Sequence, residues 1–91
     1  MPDPVWKDVA RTDLLAIIDY ISDDNLDAAL ALLDEIESRV ARLVQHPRSG
    51  RPGRMSDTRE LVVQPNYIVV YAEAEDILTV LRVLHAARQW P

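Results

Sequence analysis

Both glycines of this chain, Gly50 and Gly53, stand within the twelve residues from Pro47 to Thr58, together with Pro47, Pro52 and the arginines Arg48, Arg51 and Arg54. Regular structure does not run easily through such a stretch. Proline fixes its own φ and biases the residue before it away from the helical region, while glycine loses the most conformational freedom on ordering. The stretch reads as a loop, and it divides the chain into a half written in helical periodicity and a half written in β alternation.

Upstream, Leu14, Ile17, Ile18 and Ile21 recur at i, i+3, i+4 and i+7, with Asp13, Asp19 and Asp23 on other faces, so an amphipathic helix runs from about Ala10. Ser22-Asp23-Asp24-Asn25 interrupts it and supplies capping side chains for a second helix, with Asp27 in its first turn. That helix carries the stripe Ala29, Leu32, Leu33, Ile36, Val40, Leu43 and Val44, places Arg39 and Arg42 late, and ends at His46-Pro47. Two helices joined by so short a polar link form an antiparallel hairpin. Ahead of them, Pro4 to Val9 is able to add a short strand, and proline at position 4 suits only an edge or a strand start.

Downstream, Arg59–Gln64, Tyr67–Ala72 and Ile77–Leu84 are β-branched or aromatic runs separated by the turns Pro65-Asn66 and Glu73–Asp76. They form an antiparallel meander whose second strand is apolar on both faces, as a central strand covered by helices would be. The expected fold is α+β in two layers, with an N-terminal antiparallel helix hairpin packed on a small antiparallel sheet, in one domain spanning residues 1–91.

Charge is distributed unevenly. The net charge of −5 combines an acidic segment, residues 1–37, where ten acids oppose Lys7 and Arg11, with residues 38–60, where six arginines oppose Asp57 and Glu60. Lys7 is the only lysine. Arginine suits planar, bidentate contact with carboxylate or phosphate, so these residues either form a binding patch or balance the acidic helices. The absence of cysteine excludes disulfide and thiolate chemistry, and two histidines without partners at ligand spacing argue against a structural metal. No cofactor is expected. Without a long apolar run or a basic-then-apolar leader, the expectation is a cytoplasmic protein that neither spans a membrane nor is secreted.

Several residues are able to carry chemistry. Arg59 opens one strand and Arg82 lies near the end of another, so both can project from one end or face of the sheet; equally, each can pair with Glu60 or a helical aspartate. His85 is either a general base or a packed residue at the strand exit. His46, at a helix end, suits a partner for the C-terminal dipole. Trp6 and Trp90 are packing anchors or ligand platforms. Arg48, Arg51 and Arg54 lack the Gly-Lys-Ser/Thr order of a phosphate-binding loop. The run Leu81-Arg82-Val83-Leu84-His85-Ala86-Ala87-Arg88-Gln89-Trp90-Pro91 passes from an apolar strand straight into charged and aromatic groups, which suggests a docked segment or a working surface.

That ending, with Gly50-Arg51-Pro52-Gly53-Arg54, Thr58-Arg59-Glu60-Leu61-Val62-Val63 and Tyr67-Ile68-Val69-Val70-Tyr71, resembles the RelE/ParE superfamily of toxins from type II toxin-antitoxin modules. The order of helix hairpin, arginine loop and three strands matches over nearly the whole chain. The resemblance implies a growth-inhibiting toxin, and superfamily members either poison DNA gyrase, as ParE-like proteins do, or cleave mRNA on the ribosome, as RelE-like endoribonucleases do. The ParE-like branch is favoured, because the chain is acidic and because Tyr67-Ile68-Val69 stand where RelE-like members place a catalytic arginine. A RelE-like ribonuclease would have to rely on Arg59, Arg82 and His85, with His85 moving the proton. Either branch implies a cognate antitoxin, and Arg51, Arg54, Arg59, Arg82, His85, Arg88 and Trp90 are the residues expected to meet antitoxin or target.

Overall fold

The computed structural model describes residues 3–87. Seven elements follow one another: β1 (Val5–Trp6), α1 (Asp8–Ser22), α2 (Leu26–Leu43), β2 (Arg51–Pro52), β3 (Arg59–Val63), β4 (Tyr67–Ala74) and β5 (Ile77–His85). The two helices pack on one face of a single sheet of order β1-β5-β4-β3-β2, which is the expected two-layer α+β arrangement.

The sheet is larger than a three-stranded meander. β1 pairs parallel with β5, Val5 opposite Thr79 and Trp6 opposite Val80, so the sheet is mixed. β2 arises inside the arginine loop, where Arg51 and Pro52 pair antiparallel with Glu60 and Arg59. A two-residue strand has no alternation to read, which is why the loop composition concealed it. β1 is likewise too short for a periodicity, although Pro4 marked its start correctly.

Asn25 caps α2, its Oδ1 accepting the Ala28 N–H at 3.0 Å. This satisfies one of the donors a helix start leaves free. The core joins Ala10, Leu14, Leu32, Ile36, Val40 and Leu43 of the helices to Leu61, Val63, Val69, Tyr71, Leu78, Val80 and Val83 of the sheet. Each large apolar side chain so buried contributes on the order of 1.5–3 kcal/mol. On the other pleat of β4, Ile68 and Val70 are buried as well, so the strand is apolar on both sides, although the helices cover only one. Val70 stands in one cross-strand row with Glu60 and Arg82, whose long stems flank it.

A β-bulge corrects the alternation of β5. Val80 and Val83 both reach the helix-facing core, yet residues three apart on a regular strand face opposite ways. The register shift between Val70 and Tyr71 leaves Leu81 as the extra residue and restores Val83 to the core. Leu81 and Arg82 are thereby both turned out of it, at the rim beside α1.

Candidate functional site

Arg82 meets α1 at that rim. Its Nε donates to Asp13 Oδ2 at 2.7 Å and its Nη2 to Asp13 Oδ1 at 3.1 Å, a two-point pair. Asp13 Oδ2 also accepts the backbone N–H of Val83 at 3.0 Å. β1 covers only Thr79 and Val80 of β5, so a helix carboxylate takes the place of a neighbouring strand along the edge beyond it. The bond to Asp13 raises the pKa of the Arg82 guanidinium further, outweighing the opposing effect of burial.

Arg59 sits at the other end of the sheet, opposite Tyr71. Its Nη1 donates to the Gly50 carbonyl at 2.7 Å, while the Gly50 N–H donates to the Tyr71 hydroxyl at 2.9 Å. The hydroxyl in turn donates to the Pro47 carbonyl at 2.6 Å. Tyr71 therefore ties the loop to the core, and no side chain fits at Gly50: a Cβ there would lie 2.6 Å from the Tyr71 hydroxyl and 2.8 Å from the Glu60 carbonyl. Burial pushes the Tyr71 phenol above its usual range, partly offset by the Gly50 bond and the charge of Arg59. Next to this corner, Arg51 donates through Nε and Nη2 to Glu60 Oε1 at 3.2 and 3.1 Å. Glu60 is 3% exposed, and its Oε2 is buried without a partner. An open cleft of about 350 Å³ lies over the corner, lined by Pro47, Arg48, Pro52, Arg59, Tyr71 and Glu73 among others.

His85 ends β5 opposite Tyr67, and the two rings meet edge to face with centroids 5.4 Å apart. Its Nδ1 accepts the Ala87 N–H at 3.1 Å. Arg59 and His85 pair with Tyr71 and Tyr67, four residues apart on β4, a separation of about 13 Å along the strand. Arg82 pairs with Val70, on the alternate pleat. The structure does not bring Arg59, Arg82 and His85 into one constellation. Arg82 pairs with a helical aspartate, one of the two outcomes its sequence position allowed, and Arg51 takes the partner, Glu60, that was considered for Arg59. Arg54 is exposed and makes no side-chain hydrogen bond or ion pair among the described residues. Arg88 and Trp90 lie outside the described residues. Trp6 packs against the core, with the Arg11 guanidinium 5.8 Å from its ring.

Sequence reasoning missed Tyr71 and Asp13. Tyr71 looked like one more strand aromatic, and Asp13 like one more solvated acid on α1; only the polar hydroxyl in an otherwise apolar strand hinted at the first. Among the described residues there is no cluster of metal-ligating side chains, and no helix is long and apolar enough to cross a membrane.

Comparison with known proteins places this arrangement. The family described as ParE toxin of type II toxin-antitoxin system, parDE, matches residues 5–90. The chain is 35% identical over 88 residues to Toxin RelE2 of Caulobacter vibrioides, covering 97% of this chain and 99% of that protein. It is 44% identical over 73 residues to the toxin candidate Y4kP of Sinorhizobium fredii, covering 79% of this chain and 75% of that one. Among solved structures, a chain from the chromosomal ParDE toxin-antitoxin system of P. aeruginosa superposes with a TM-score of 0.79 at 25% identity, covering 93% of this chain and 96% of that one. The Helicobacter pylori protein HP0894 shares the fold at 17% identity, with a TM-score of 0.53 and coverage of 97% and 98%.

Proposed function

Because the chain belongs to the ParE toxin family of type II toxin-antitoxin systems, we propose that it arrests bacterial growth by binding DNA gyrase in the cytoplasm, and that a cognate antitoxin neutralises it. The observation that carries this reading is the internal commitment of the residues a ribonuclease would need. Arg82 is held by Asp13, Arg59 spends a donor on the Gly50 carbonyl, and the Nδ1 of His85 is occupied by the Ala87 N–H. A neutral imidazole has one acceptor nitrogen, so His85 must break that bond before it can take a proton. The acidic chain supports the same reading, since affinity for a polyanion comes from neutralising its phosphates. Arg54 and the exposed side of Arg51, with Arg88 and Trp90 on sequence grounds, form the proposed contact set for target or antitoxin.

Purified protein incubated with gyrase, plasmid and nucleotide is expected to block supercoiling or accumulate linear DNA. Supercoiling unaffected at excess protein refutes the gyrase reading. The similarity to a protein named RelE2 favours a second reading, ribosome-dependent mRNA cleavage. That reading requires new 5′ ends on a translated message, detected by primer extension, and their loss in His85→Ala.

A further inference from the structure

The expected arginines turn out to be largely engaged within the fold, and the free basic surface lies elsewhere, in the groove between the C-terminal half of α2 and β3. That groove encloses about 170 Å³ and is lined by Arg39, Arg42, Leu43, His46, Ser49 and Leu61. Arg39, Arg42 and His46 succeed one another at three- and four-residue steps, which places them on one flank of the helix and its continuation. Leu43 and Leu61, 2% and 7% exposed, give the groove an apolar floor. The acid beside it, Glu35, stands 3.9 Å from Arg39 and is shared, since its Oε1 accepts from Gln64 Nε2 at 2.9 Å. Among the described residues, neither the Arg42 nor the His46 side chain makes an ion pair or hydrogen bond.

Two guanidiniums left uncompensated in a chain of net charge −5 favour an acidic occupant. The apolar floor narrows its chemistry. A nucleic-acid backbone gains from a long basic track and nothing from Leu43 and Leu61, whereas a peptide can place carboxylates on the arginines and an apolar side chain between them. We propose that this groove seats an acidic segment of the antitoxin, its Asp or Glu side chains engaging Arg39 and Arg42 through their planar forks and an apolar neighbour resting on Leu43 and Leu61. The proposal rests on the reading that the protein is neutralised by a protein antitoxin.

The test uses the purified full-length product of the open reading frame adjacent to this gene, titrated calorimetrically into the wild-type protein and into Arg39→Gln/Arg42→Gln. At about 0.05 M salt the double variant is expected to bind roughly tenfold more weakly, and the gap is expected to narrow at about 0.5 M salt as the contacts are screened. Arg39→Lys/Arg42→Lys, which keeps charge but loses the fork, should fall between the two. Matching thermal midpoints for all three proteins exclude misfolding as the cause of any loss. Binding of the glutamine variant within about twofold of wild type at both salts overturns the groove assignment while leaving the toxin reading intact. No binding by the wild type overturns the antitoxin reading and the groove with it. A labelled single-stranded oligonucleotide bound by wild type and lost in the glutamine variant, with antitoxin affinity unchanged, reassigns the groove to phosphate.

Discussion

At the Gly50 corner, Arg51 grips the carboxylate of the buried Glu60 and Arg59 donates to a loop carbonyl; in the α2–β3 groove, Arg39 and Arg42 meet no comparable partner. The two regions flank the same strand and use the same residue type. They differ in what surrounds the guanidinium. At the corner, a polar loop must be anchored to an apolar sheet, so its donors and acceptors are satisfied from within by Tyr71, Arg59 and Glu60. In the groove, the helix has already satisfied its own backbone, and the arginine heads are left to solvent or to a partner. An arginine-rich stretch therefore does not locate a binding surface until its internal partners are counted.

Four substitutions test that contrast. Gly50→Ala should be the most damaging, by about 2–3 kcal/mol in the urea midpoint, because the added methyl meets a buried hydroxyl and a strand carbonyl that cannot both retreat. A wild-type midpoint would mean that the loop is not held at the Tyr71 corner.

Tyr71→Phe should cost about 1–3 kcal/mol by leaving the Gly50 N–H and the Pro47 carbonyl without their buried partner. It also carries a pH signature. The folded pKa of Tyr71 is raised above its ordinary value of 10.0, so its contribution is fully present below that value. Above it, the unfolded chain loses the proton first, and stability falls as pH rises through the folded pKa. Stability measured from pH 8 to 11, values spanning about two units below and one above the ordinary tyrosine pKa, should therefore decline more steeply in the wild type than in Tyr71→Phe. Parallel curves would remove Tyr71 from its role as the buried anchor.

Asp13→Ala should cost about 1–2 kcal/mol, since it frees both Arg82 and the Val83 N–H; the part-exposed guanidinium regains water, which limits the loss. Amide exchange should quicken at Val83, and unchanged protection there would show that α1 does not guard the β5 edge. Arg39→Gln/Arg42→Gln should shift thermal stability by less than about 0.5 kcal/mol, as expected for arginines outside an internal network. A loss as large as that of Asp13→Ala would erase the distinction between the two regions.

Much of the fold was legible in the amino-acid order because it rests on short-range rules. The helix stripes, the Asn25 cap, the proline that closes the second helix and the β runs about two tight turns all lie within a few residues of the groups that decide them. The candidate site was legible only as residue types. Arg82 was visible as an arginine in a strand, but its partner Asp13 lies 69 residues away, and the bulge that turns it to the rim leaves no mark in the alternation.

The sequence alone determined the two-layer plan, the helix hairpin and the family resemblance, since periodicity and local turn chemistry act between near neighbours. Tertiary structure decided the rest: the parallel β1, the brief β2, the anchoring of the loop through Tyr71 and which arginines remain free. Those outcomes depend on hydrogen bonds and ion pairs between segments far apart in the chain, and burial rather than residue identity selects which of the available partners each arginine takes.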